Sequence, residues 1–121
     1  MEGHTEASAD AGRLSVDVLG PLRVREPSGR ERTPEGALQR RLFALLVLHR
    51  GRVVSADEAI EALWPHRPPR EPVAALQNHV SRLRRGLPVE LIESSAFGYR
   101  LRPELIDLDA ERLAAALRER D

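Results

Sequence analysis

The sequence contains no cysteine, which excludes a disulfide framework, a thiolate metal site and a cysteine nucleophile. Aromatic residues make up only 3% of the chain, so the 41% hydrophobic fraction has to build its core from Leu, Val and Ala. No run approaches the ~18 consecutive apolar residues of a membrane-spanning helix. The N-terminal residues 1–12 are polar and acidic rather than signal-like, and the expectation is a soluble, cytoplasmic protein. Lysine is also missing: all 19 basic residues are arginine, a bias of the whole chain that says little about any one site. There is no Gly-rich phosphate loop, and His4, His49, His66 and His79 lack ligand spacing. Asp57, Glu58 and Glu61 suit the first turn of a helix better than acid–base catalysis. Neither an enzyme, nor a cofactor, nor a metal site is expected.

What is present fits one small domain with short flanks, since 121 residues lie in the ordinary range for a single core. The net charge is zero, which argues at first against a nucleic-acid partner. Its distribution argues the other way. Residues 1–12 and 103–121 are each net −3, whereas residues 13–102 hold 16 arginines against 10 acids, a net of +6.

Residues 1–12 show no apolar periodicity and read as a disordered tail. Leu14, Val16 and Val18 alternate with Ser15 and Asp17, Gly20-Pro21 interrupts, and Leu22 to Arg25 alternates again, which predicts two short strands. Pro27-Ser28-Gly29 is a turn signal, and Arg30 to Thr33 is a candidate third edge strand. Residues 37–50 are rich in helix formers, place Leu38, Leu42, Leu45 and Leu46 on one face, and stop at Gly51. Ser55-Ala56-Asp57-Glu58 has capping-box spacing and opens a second helix that runs to Trp64 before Pro65. Three prolines make residues 65–71 a stiff loop, and Pro72 starts a third helix with Val73, Leu76, Val80, Leu83 and Leu87 as its apolar stripe. Leu91 to Glu93 and Tyr99 to Leu101 bracket Ser94 to Gly98 as a β-hairpin. Residues 103–121 begin with Pro103, offer Asp109 as an N-cap and space Leu113 and Leu117 for a short amphipathic helix that wants a partner.

The third helix is the informative element. Opposite its stripe stand Ala74, Asn78, Ser81, Arg82 and Arg85, with Gln77 and Arg84 on the borders. That face is small at its start and then carries Asn, Ser and Arg, which hydrogen-bond both bases and phosphates. After Glu71 the helix contains no acid, unlike an ordinary solvated helix. A third helix between a proline-bounded loop and a small hairpin has the arrangement of a recognition helix and its wing. The fold class expected is α+β: a winged helix-turn-helix with an N-terminal antiparallel sheet, three helices and a C-terminal hairpin wing.

The strings Val16-Asp17-Val18-Leu19-Gly20-Pro21-Leu22, Gln39-Arg40-Arg41-Leu42, Gly51-Arg52-Val53-Val54-Ser55, Ala62-Leu63-Trp64-Pro65, Leu76 to Arg85 and Gly98-Tyr99-Arg100-Leu101 resemble the OmpR/PhoB-type DNA-binding domain. Within that group the chain is similar to the Streptomyces antibiotic regulatory protein (SARP) family of transcriptional activators. The match covers residues 14–102.

The resemblance implies a DNA-binding domain over residues 13–102, with residues 103–121 a linker and the first helix of a following helical activation domain. It implies that Gln77, Asn78, Ser81, Arg82, Arg84 and Arg85 meet double-stranded promoter DNA in the major groove. Trp64, Ser95, Tyr99 and Arg100 become candidates for wing and backbone contacts, and His66, Arg67, Arg70 and Glu71 for a loop facing the sigma or alpha subunit of RNA polymerase. It further implies activation from head-to-tail copies on direct promoter repeats. Trp64 and Tyr99 also have a purely packing role open to them. Wings in the broader group often carry a basic residue near the tip, where this chain has Ser94-Ser95-Ala96-Phe97. Arg100 and Arg102 share one strand face, and alternation alone does not say which. The rival function class is a winged-helix protein-interaction module whose basic face binds an acidic protein, and a charge of +6 suits either.

Overall fold

The computed structural model describes residues 12–120, so the expected tail lies outside the described residues except for Gly12. Two units organise the chain: one takes the residues up to Thr33 together with those from Glu104 onward, the other Pro34–Pro103.

In the first unit, the alternation from Leu14 forms β1 (Leu14–Asp17), which buries Leu14 and Val16 and leaves Ser15 and Asp17 half-buried. β2 (Arg23–Arg25) pairs with it antiparallel, Val24 opposite Val16, and Arg25 Nη2 donates to Asp17 Oδ2 at 3.1 Å. Residues 30–33 do not make the expected edge strand. Only Glu31 bridges Arg25, because the Val24 N–H that a further strand would use is taken by Thr33 Oγ1 at 2.9 Å.

The third strand comes from the other end of the sequence. After a 3-10 turn (Pro103–Leu105), β5 (Ile106–Leu108) lies parallel to β1, with Ile106 opposite Leu14 and Leu108 opposite Val16. The sheet order is β2-β1-β5, so the sheet expected to be antiparallel is mixed. The helix α4 (Asp109–Arg120) follows. Asp109, expected as its N-cap, is its first residue, and its carboxylate accepts the N–H groups of Val18 at 2.9 Å and Leu19 at 3.2 Å. Burial opposes ionisation there, but these bonds and that from the Ala110 N–H hold the group below the ordinary Asp range. Leu113 and Leu117 remain exposed.

The second unit holds α1 (Ala37–Leu48), α2 (Ala56–Leu63), α3 (Pro72–Arg85) and the hairpin of β3 (Ile92–Ser95) and β4 (Gly98–Leu101). α1 buries Leu42, Phe43, Leu46 and Val47, and its end is turned by Arg50 and Gly51, both with positive φ. The expected capping box starts α2: Ser55 Oγ accepts the Glu58 N–H and Glu58 Oε1 accepts the Ser55 N–H, each at 3.0 Å. α3 begins with Pro72 in its first turn and ends at Gly86. Leu76, Val80, Leu83 and Leu87 are buried as the stripe requires, whereas Val73 is 52% exposed. The hairpin is tighter than expected, with β3 and β4 paired from Ile92–Leu101 to Ser95–Gly98 and only Ala96-Phe97 between them. Val54 and Tyr99 exchange backbone bonds of 2.7 and 3.0 Å and tie the hairpin to the entrance of α2.

Candidate nucleic-acid interface

Burial of Leu76, Val80 and Leu83 fixes how α3 is rotated, and the rotation presents Ala74, Gln77, Asn78, Ser81, Arg82 and Arg85 to solvent. Five of the six residues expected to meet DNA from this helix therefore share one open face: Gln77, Asn78, Ser81, Arg82 and Arg85. Small side chains lead and arginines follow, so the polypeptide can approach closely at one end while long cationic arms reach out at the other.

Arg84 is the exception. Its Nη2 donates to the Ile92 carbonyl at 3.0 Å and to Ser94 Oγ at 2.7 Å, joining the last turn of α3 to the base of the hairpin. Sequence periodicity placed it on the border of the open face; the structure turns it inward to hold the hairpin. Arg100 is also engaged: Nε donates to the Gly51 carbonyl at 2.8 Å and Nη1 to Glu93 Oε1 at 2.7 Å. Arg102 pairs with the other Glu93 oxygen. The bond from Arg100 comes first among the causes that hold the Glu93 carboxyl below its usual range; desolvation opposes it, and the charges of Arg102 and Arg100 add to it. Both arginines thus lie on the strand face that pairs with Glu93.

Trp64 closes α2 half-buried, its ring centroid 5.7 Å from that of His79 and tilted by 50°. His79 Nδ1 lies 2.8 Å from Nε2 of the buried Gln39 on α1. Burial and then the nearby Arg82 charge push the imidazole pKa below its usual 6.5. Behind the open face a Gln39–His79–Trp64 cluster therefore links α1 and the end of α2 to α3. Tyr99 is half-buried and bound to Val54 through its backbone, while Ser95 is exposed, its Oγ accepting the Phe97 N–H at 3.1 Å. His66, Arg67, Arg70 and Glu71 are all exposed on the loop before α3.

Two exposed apolar residues are ones that the sequence pattern leaves without a role or expects to be buried. Phe97, 81% exposed at the hairpin tip, and Val73, in the first turn of α3 and expected in its buried stripe, are both open to solvent. The tip had only its missing basic charge to mark it, and period alone cannot tell the first turn of a helix that its core has not yet begun.

A helix with an open polar and arginine-bearing face, preceded by two packed helices and braced by a hairpin, defines a winged helix-turn-helix of the nucleic-acid-binding class. The comparisons give the family. Residues 32–101 match the family described as "Transcriptional regulatory protein, C terminal", and the chain belongs to this family of OmpR/PhoB-type DNA-binding domains of transcription regulators, which is not an enzyme class. It is 36% identical over 100 residues to the regulatory protein AfsR of Streptomyces coelicolor, covering 83% of this chain and 10% of that protein. Against AfsR of Streptomyces griseus the identity is 39% over 113 residues, covering 90% and 11%. The chain spans about a tenth of the length of these relatives. Among solved structures it is similar to Mycobacterium tuberculosis EmbR in complex with a low-affinity phosphopeptide, with a TM-score of 0.74, 32% identity, and 85% and 28% of the two chains covered. The DNA-binding domain of Bacillus subtilis CssR shares the fold at 23% identity and a TM-score of 0.60, covering 70% of this chain and 96% of that one. Among the described residues no helix is long and apolar enough to cross a membrane.

Proposed function

We propose that this chain reads promoter DNA by laying the open face of α3 in the major groove with the β3–β4 hairpin beside it, as the cytoplasmic DNA-binding part, residues 13–102, of a transcriptional activator. The observation that carries this reading is the acid-free exposed set Gln77, Asn78, Ser81, Arg82 and Arg85 on a helix whose rotation is fixed by its core. The exposed loop residues His66, Arg67, Arg70 and Glu71 face RNA polymerase: prolines stiffen the loop and so lower the entropy lost on docking. Residues 106–108 belong to the sheet of β1 and β2 and are not a linker, and α4 after them is the element we assign to the start of a helical activation domain.

The test uses a duplex selected by the chain from a random-sequence pool and then titrated in excess unrelated DNA. Retention of the selected duplex is expected, as is activation of a reporter carrying it, with Arg67, Arg70 and Glu71 substitutions lowering transcription but not affinity. Binding that collapses under competitor would instead favour a basic face for an acidic protein.

A further inference from the structure

Charge divides α3 along its length. Residues 72–81 include no acid and no arginine, whereas Arg82, Arg84 and Arg85 crowd the last turn. On the open face the neutral half offers the Ala74 methyl and the carboxamides of Gln77 and Asn78, all exposed, and those carboxamides hold no hydrogen bond among the described residues. An arginine gains from any phosphate within reach, whatever the base beside it. A methyl gains nothing from phosphate, and an uncharged carboxamide gains less than an arginine does. What these groups match is a base edge: a methyl packs on the thymine 5-methyl, and an Asn carboxamide accepts from adenine N6–H and donates to N7. The neutral half therefore suits A·T pairs, and the cationic half suits guanine O6 and N7 or phosphate.

Ala74 and Asn78 lie about one helical turn apart, an axial step of about 6 Å, and Arg85 lies about 10 Å beyond Asn78. Bases along a strand stack about 3.4 Å apart, so for a helix lying along the groove these steps correspond to about two and about three base pairs. We infer that α3 reads its site in a fixed order, with A·T pairs beneath Ala74 and Asn78 and a G·C pair about three base pairs further on beneath Arg82 or Arg85, and that Ala74 is a specificity-determining residue through the thymine methyl. The inference rests on the DNA-binding reading proposed above and assigns the bases which that reading leaves open.

The experiment titrates the selected duplex with single bases replaced by analogues that lack one group: uracil for thymine removes the 5-methyl, and 7-deazaadenine or 7-deazaguanine removes N7. The wild-type chain, Ala74→Gly, Asn78→Ala, Arg82→Ala and Arg85→Ala are each compared on the parent and the substituted duplex, so a change in a variant's own stability cancels. Uracil at one position is expected to weaken wild-type binding about fourfold and to leave Ala74→Gly unaffected. A 7-deazaadenine about two base pairs away is expected to weaken wild-type binding about tenfold and to leave Asn78→Ala unaffected. Sensitivity to 7-deazaguanine about three base pairs beyond that adenine is expected to vanish in Arg82→Ala or Arg85→Ala. A selected duplex on which no uracil weakens the wild-type chain overturns the inference, as does an Ala74→Gly chain that loses as much as wild type on every uracil duplex. Adenine sensitivity that vanishes in an arginine variant rather than in Asn78→Ala reverses the order and overturns it too. In all three cases binding to the selected duplex stands, whereas a wild-type chain with no preference for that duplex overturns the DNA-binding reading as well.

Discussion

Arg84 and Arg82 are two residues apart on one helix and have different tasks, a difference decided by what each side chain can reach. Arg84 reaches the Ile92 carbonyl and Ser94 Oγ and fixes the hairpin to α3; Arg82 has open solvent in front of it. Arg84→Met leaves a partly buried carbonyl without its donor and should cost about 1–2 kcal/mol in chemical denaturation, with weakened DNA binding recovered by Arg84→Lys only in part. Undiminished stability in Arg84→Met would remove the bracing role. His79 gives the pH dependence. Its folded pKa lies below the usual 6.5, so the unfolded chain takes up its proton first as pH falls, and stability present above about 6.5 is lost progressively below it. From about pH 7.5 to about pH 5.5 the wild-type chain should lose more stability than His79→Gln. Equal slopes in both proteins would mean that this imidazole is not desolvated. At this scale the sequence was a partial guide: it identified a polar arginine face, but whether a given arginine faces solvent or a carbonyl depends on partners such as Ile92 and Gly51, 8 and 49 residues away in the chain.

Elements were legible where their signals are local. The Ser55–Glu58 box, Pro72 in the first turn of α3 and the stripe Leu76-Val80-Leu83 each act within one or two helical turns, and the three helices follow from them. β5 was not legible. Three residues, Ile106-Asp107-Leu108, alternate apolar-polar-apolar but are too few to mark a strand, and they become one because β1 offers a parallel partner about ninety positions earlier, as the registers of Leu14 with Ile106 and Val16 with Leu108 show. The hairpin is a further case of an element set by a distant neighbour. Gly98 has φ +144, and a Cβ there would meet the Val54 carbonyl and the Ser55 backbone. Gly98→Ala should therefore separate the hairpin from Val54 and destabilise the fold by more than about 1 kcal/mol, while Ala96→Gly, at an exposed turn, should change stability by less than about 1 kcal/mol. Equal denaturation midpoints for both variants and the wild type would show that the Val54–Tyr99 bridge does not hold the hairpin.

At the scale of the whole molecule, the zero net charge conceals a basic middle, and +6 over residues 13–102 is modest for salt-resistant binding. A single module of this size covers only about 600–1,000 Å² of protein surface on DNA, so we propose that two copies bind together, head-to-tail on a direct repeat as the family resemblance implies. Probes with one site, two sites spaced by about 10–10.5 bp, and two sites offset by half a turn should bind most tightly in the second case, and equal affinity per site on all three would exclude cooperative tandem binding. The central claim, that the open face of α3 reads the bases, has a more direct measurement. Asn78→Ala, Arg82→Ala and Arg85→Ala are titrated on the selected duplex and on single-position variants of it, in excess unrelated DNA. The account predicts that at least one arginine variant loses about 1–3 kcal/mol and tolerates base changes at one position, as removal of a bidentate guanine contact would do. Wild-type affinity and wild-type base preference in all three variants would contradict it.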